Sequence, residues 1–172
     1  NELKGTVVDY SDTFRKASGL NSFNLLQTYV DSEGGIWCVT DKRGLFLFHP
    51  TLAACRKFNT DSPASNVLKG NAESVLQDGE GRIWINMFSI GLACLNPKTD
   101  SIRYFTSADG LLSARILSMT LDGAGNLWAL SDKGVSVINT SNLHIRNFTK
   151  KQGLEIADAN VIEFHRNGTM YI

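Results

Sequence analysis

Apolar residues in this chain fall in short runs broken by Gly, Asp, Asn and Ser, a rhythm of strands and turns rather than of helices. Three successive groups of four strands are predicted, at 25–30, 35–40, 44–48 and 55–58, then 73–77, 82–86, 91–95 and 101–105, then 115–121, 126–131, 134–138 and 143–148. Residues 159–164 and 169–172 read as the first two strands of a further group. At the other end, Gly5-Thr-Val-Val and Phe14-Arg-Lys match Gly44-Leu-Phe-Leu and Arg56-Lys-Phe, so 1–20 reads as the last two strands of a preceding one. In the second strand both alternating faces are apolar, Ile36 and Cys38 against Trp37 and Val39, and Ile83 and Ile85 against Trp84. Such a sheet must be covered on both sides, so the groups are expected to stack.

The stacking unit is a repeat. Asp-Ser-Glu-Gly-Gly-Ile-Trp at 31–37, Asp-Gly-Glu-Gly-Arg-Ile-Trp at 78–84 and Asp-Gly-Ala-Gly-Asn-Leu-Trp at 122–128 share Asp, a Gly three residues on, an aliphatic residue and Trp. His165 to Tyr171 is a fourth, altered copy. The aromatic positions Trp37, Trp84, Trp128 and Tyr171 lie 47, 44 and 43 residues apart, a period that suits a four-stranded propeller blade. Two further landmarks keep phase with them. Gly19-Leu20, Gly110-Leu111 and Gly153-Leu154 each place Gly 18 residues before the aromatic, whereas the second unit has Asn66-Val67 there. Gly44, Gly91 and Gly134 follow at offsets of 7, 7 and 6. In the Asp-x-x-Gly turn, Gly supplies a positive φ and the Asp side chain can accept turn amides. One Trp per unit at a fixed place is the expected wedge between neighbouring blades.

The predicted organisation is therefore all-β, with four-stranded antiparallel blades at 21–60, 61–106 and 107–150, the last two strands of a preceding blade at 1–20 and the first two of another at 151–172. A ring of seven such units needs roughly 300 residues, so the chain reads as a fragment of a larger, seven-bladed propeller. The alternative is a closed four-bladed ring whose terminal halves share one blade.

The Gly-Leu loop, Asp-x-x-Gly-x-(Ile/Leu)-Trp and the Gly-(Leu/Val) strand after it together resemble the two-component regulator propeller repeat, over the whole chain. The resemblance implies the periplasmic sensor region of a hybrid two-component histidine kinase that responds to oligo- or polysaccharide. It implies a homodimer through the parent sensor, and membrane attachment only through a helix outside this chain. Rival expectations are a periplasmic or secreted lyase-like propeller enzyme acting on polysaccharide, and a protein-interaction propeller.

Charge and candidate chemistry narrow this further. With 17 basic and 17 acidic side chains the formal net charge is zero, and the basic doublets are scattered, which excludes an electrostatic nucleic-acid binder. No apolar run is long enough to span a bilayer. Cys38, Cys55 and Cys94 are odd in number and lack C-x-x-C spacing, so buried thiols are expected and no zinc site. No phosphate loop, nucleophile elbow or metal helix occurs, so no catalytic residue, metal or cofactor is assigned. His49, His144 and His165 lie in loop, strand and turn and do not suit a phosphoacceptor, which would lie outside this chain. Asp31, Asp78 and Asp122 each offer one dependable carboxylate, too few for a calcium loop. Their three-residue distance to Gly also departs from the sialidase Asp box. If the first strand is innermost, the connections into it and between strands two and three open on one face, where ligands commonly bind. That places Lys42, Arg43, Phe88, Arg115 and Lys133 as ligand-face candidates, the cations for sulfate or carboxylate groups of a glycan and Phe88 for stacking on a sugar.

Overall fold

The computed structural model describes residues 8–41, 44–58, 68–156, 158–165 and 167–172. Its first sheet contains β1 (Leu25–Val30), β2 (Ile36–Thr40), β3 (Gly44–His49) and β4 (Ala54–Phe58). The second contains β5 (Ala72–Gln77), β6 (Ile83–Met87), β7 (Gly91–Leu95) and β8 (Ile102–Phe105), and the third β9 (Ile116–Leu121), β10 (Asn126–Ser131), β11 (Gly134–Asn139) and β12 (Ile145–Phe148). Each is an antiparallel meander whose spatial order is its chain order, and β13 (Glu163–Phe164) pairs with β14 (Met170–Tyr171) as a two-stranded sheet. Neighbouring sheets approach through the first strand of the later one, β5 beside β1 and β2, β9 beside β6, and β13 beside β9. These are propeller blades packed face to face with the first strand of each innermost.

Packing follows the alternation of each second strand. Trp37, Val39, Leu45 and Leu47 of the first blade bury against Val75, Ile83, Ile85 and Leu95 of the second. The opposite face of the second blade, with Trp84, Leu92 and Phe105, buries against Leu127, Ala129 and Ile138 of the third. Trp128, Leu130 and Val137 pass the pattern on to Ile162 and Met170. In each blade the Trp ring lies against the Phe that ends the fourth strand, at 5.4 Å for Trp37–Phe58, 5.1 Å for Trp84–Phe105 and 5.8 Å for Trp128–Phe148.

Both glycine landmarks have a physical cause. Gly19, Gly110 and Gly153 cap short helical turns in the left-handed conformation, and the Leu after each turns inward. Gly91 and Gly134 also have positive φ, and a Cβ there would overlap the carbonyl oxygen of Phe105 or Phe148. Only glycine lets the third strand start that close to the end of the fourth.

One expectation is corrected. Of residues 1–20, expected as two strands, 1–7 lie outside the described residues and Ser11–Ser18 forms a helix, α1. Among the described residues no strand pairs with this segment, which packs on β3 and β4 as a helix, and Asp12 in the first turn and Arg15 and Lys16 in the last suit a helix dipole. α1 nevertheless covers the face that a preceding blade would cover. Its Phe14 packs edge-on against Phe46 and Phe48 at 5.8 and 5.5 Å, and stands five residues before Gly19 as Phe105 does before Gly110. Among the described residues α1 adds no strand to the β13–β14 sheet.

Candidate functional site

The repeated Asp is consumed by its own turn. One carboxylate oxygen of Asp31 accepts the N–H groups of Glu33 and Gly35 at 3.0 and 2.8 Å, and the other accepts the indole N–H of Trp37 at 2.9 Å. Asp78 and Asp122 repeat the arrangement, with indole bonds of 2.7 Å from Trp84 and 2.8 Å from Trp128. Burial opposes charge on Asp122, but the bonds from Asn126, Trp128 and Ala124 outweigh it and hold the carboxyl below its ordinary value. In the altered fourth copy, His165 Nδ1 takes the acceptor role toward Asn167 N–H at 3.4 Å. Burial first of all raises the thiols, Cys38 to about 12 and Cys55 and Cys94 to about 11, so they stay protonated at neutral pH. Cys55 is only half-buried, unlike the other two, because β4 is an outer strand.

The face expected to carry ligands lies at the opposite end of the strands. There Asp41 N–H donates to Asn24 carbonyl at 3.1 Å and Phe88 N–H to Asn71 carbonyl at 2.9 Å, tying the connection between the second and third strands of the first two blades to the segment leading into the first strand. Phe88 and Arg115 share a cleft of about 560 Å³ between the second and third blades, with Glu73, Ser74, Asn86, Ser89, Ile116 and Leu117. Phe88 is 60% exposed, and Ser89 beside it holds a left-handed φ of 55° in the tight turn. A second cleft of about 430 Å³, between the third blade and the chain after it, adds Ser131, Asp132, Lys150 and Asp158 and uses Arg115 and Leu117 as a common wall. Lys133 is exposed on the β10–β11 turn and lines neither cleft. Lys42 and Arg43 lie outside the described residues.

A β-bulge shapes the main cleft. Ala72 pairs with Met87 and Ser74 with Asn86, so Glu73 is the extra residue, and both Glu73 and Ser74 line the same cleft although successive strand residues normally face apart. A like irregularity at Leu117 brings Ile116 and Leu117 to the opposite wall. The floor is Asn86, 3% exposed, whose amide donates to Glu73 Oε2 at 3.2 Å and to the Ile116 carbonyl at 3.1 Å. Its Oδ1 has no donor. With both amide hydrogens on acceptors, the orientation of the side chain is fixed. Sequence reasoning does not single out Glu73 or Asn86. The signal that marks Asn86 is its place two residues after the Trp, where Val39 and Leu130 stand in the sister blades.

A stack of four-stranded meanders with a cleft at the strand ends defines a class, the β-propeller. No protein-family profile and no curated protein matches the chain. Solved structures do share its fold. The extracellular domain of a hybrid two-component system from B. thetaiotaomicron has a TM-score of 0.69 and 22% identity, over 84% of this chain and 19% of that one. Virginiamycin B lyase from Staphylococcus aureus gives 0.67 and 11%, over 88% of this chain and 49% of that one. The WD40 β-propeller domain of Doa1 gives 0.62 and 12%, over 86% and 46%. The chain thus spans about a fifth of the first of these structures, and at such identities the likeness is one of fold. Among the described residues no helix is long and apolar enough to cross a membrane.

Proposed function

We propose that the chain is an extracytoplasmic ligand-sensing propeller segment of a hybrid two-component sensor, non-catalytic in itself and responding to an oligo- or polysaccharide. The observation that carries the ligand reading is the main cleft, where an exposed aromatic ring, Phe88, lies with the strand residues Glu73, Ser74 and Asn86 and with Arg115 immediately before β9. An open cleft with one stacking surface and several polar groups suits a sugar chain. The sensor reading draws on the shared fold with extracellular domains of hybrid two-component systems and on the spaced repeat landmarks. In such a sensor the ligand favours one arrangement of the parts, and only that difference in affinity biases a signal. The parent is proposed to be periplasmic in this portion and to act as a homodimer.

The test is calorimetric titration of the chain with a panel of oligo- and polysaccharides, with chromatography of the sugar afterwards. Saturable binding without new products, weakened about tenfold or more by Phe88→Ala, is expected; stacking losses of this size are ordinary. Steady product formation would overturn the sensor reading in favour of a propeller lyase.

A further inference from the structure

The repeat supplies its own internal control, because each blade shows what the fold alone requires at a given offset from its Trp. Four residues of the main cleft break that pattern. At the bulge, eleven residues before the Trp, the first and third blades carry Leu26 and Leu117 and the second carries Glu73. Two after the Trp they carry Val39 and Leu130 and the second carries Asn86; four after, they carry Asp41 and Asp132 and the second carries Phe88. Thirteen before it, the first two blades carry Asn24 and Asn71 and the third carries Arg115. All four departures meet in one cleft.

Two of them run against folding. Val39 and Leu130 are 0% exposed, so the position of Asn86 is a core position, and a carbonyl oxygen left there without a donor is costly. Glu73 spends one carboxylate oxygen on Asn86 rather than on a cation, and among the described residues no ion pair joins it to Arg115. Asn86 Oδ1 is itself buried, so the acceptor the floor turns to the cleft is the Glu73 carboxylate, held in place by the Asn86 amide, with Ser74 and Ser89 beside it. Arg115 faces them as a donor across the cleft. The charges lining the two adjoining clefts do not favour an anion: Glu73, Asp132 and Asp158 stand against Arg115 and Lys150.

We propose that Glu73, oriented by Asn86, forms a specificity-determining subsite that takes the hydroxyl groups of an uncharged sugar ring, with Phe88 against the ring and Arg115 donating to its oxygens from the far wall. Hydroxyls suit this floor because each can donate to Glu73 and accept from Arg115 at once, whereas a uronate or sulfate meets the Glu73 carboxylate. The inference rests on the carbohydrate reading above and narrows it to neutral oligosaccharides.

The test uses hexasaccharides of β-1,4-linked glucose, mannose and galactose, each beside its counterpart carrying a C6 carboxylate, titrated into the chain by calorimetry. At least one neutral sugar is expected to bind about tenfold or more tighter than its uronate counterpart, and Glu73→Gln to shrink that preference to about threefold or less, like charge being the discriminating element. Asn86→Leu restores the residue of the third blade. It keeps the core filled but removes the amide that orients Glu73, and is expected to weaken binding of the neutral sugar about tenfold or more. A uronate bound as tightly as its neutral partner, or a preference unmoved by Glu73→Gln, overturns the subsite while leaving the carbohydrate reading standing. Binding of none of the six sugars overturns the carbohydrate reading itself, and the subsite with it.

Discussion

Only 5% of Asp78 is exposed, yet its carboxylate meets a donor on every side: the amides of Glu80 and Arg82, the Arg82 guanidinium at 2.8 Å and the Trp84 indole at 2.7 Å. Arg82 then reaches across to the Thr140 carbonyl at 2.6 Å, so one side chain links a turn, a wedge residue and the next blade. Asp78→Ala leaves the N–H of the fully buried Trp84 unpaired, and a loss of about 2–4 kcal/mol is expected in urea unfolding followed by Trp fluorescence. Asp31→Ala costs less, because Gly35 stands where Arg82 does and no guanidinium is lost. Asp122 adds a pH dependence. Its carboxyl is held below the ordinary value in the fold, so the stability it contributes is present above the unfolded pKa of about 4 and is lost as pH falls through the lower folded one. Urea midpoints measured from pH 5 to pH 2 should fall along that limb, and Asp122→Asn should make the fall shallower.

At the scale of the element, the strands were legible because both faces of each second strand are apolar and because Gly and Asp recur in phase; nearly every predicted strand lies within two residues of the observed one. The exceptions are instructive. Residues 11–18 carry the same Phe and Gly spacing as a fourth strand and its turn, but extended backbone needs a partner strand, and a helix satisfies its own hydrogen bonds. The bulges at Glu73 and Leu117 leave no mark in the alternation, so the side chains they aim into the cleft could not be read from it. Phe88 and Arg115 could be read, because the topology puts their two connections on one face. α1 also makes a prediction of its own. It covers the buried thiol of Cys38 through Phe14, while Cys94 sits in a different cluster between the second and third blades. Phe14→Ala should therefore cost about 3 kcal/mol and speed labelling of Cys38 by a thiol reagent while leaving the rate at Cys94 unchanged. Equal acceleration at both would mean that α1 supports the whole stack rather than its end.

For the whole molecule, the arrangement is close to one-dimensional: each blade touches only its neighbours, and stability is the sum of blades and the interfaces between them. The second blade has both faces covered by other blades, and every residue of β6 and β7 is buried. It is also tied sideways, by Val75 N–H donating to Gln27 Oε1 at 2.6 Å, Ser32 N–H to Gln77 Oε1 at 2.8 Å and the Arg56–Asp100 ion pair on one side, and by Arg82 and Asn86 on the other. The ends are different. Leu26 and Val30 on β1 are 56% and 63% exposed, and Tyr171 on β14 is 60% exposed. Amide hydrogen exchange read by mass spectrometry should therefore be slowest in β6 and β7, intermediate in β2 and β10, and fastest in α1 and β13–β14. A uniform rate across all blades would show that the stack opens as a single unit. The gradient bears on the sensor role proposed above, because the cleft holding Glu73, Asn86 and Phe88 is built on the best-supported blade and closed by Arg115 from the next. A ligand bridging the two walls adds a link at that one interface, so bound sugar should slow exchange in β9 more than in β6, where little protection is left to gain.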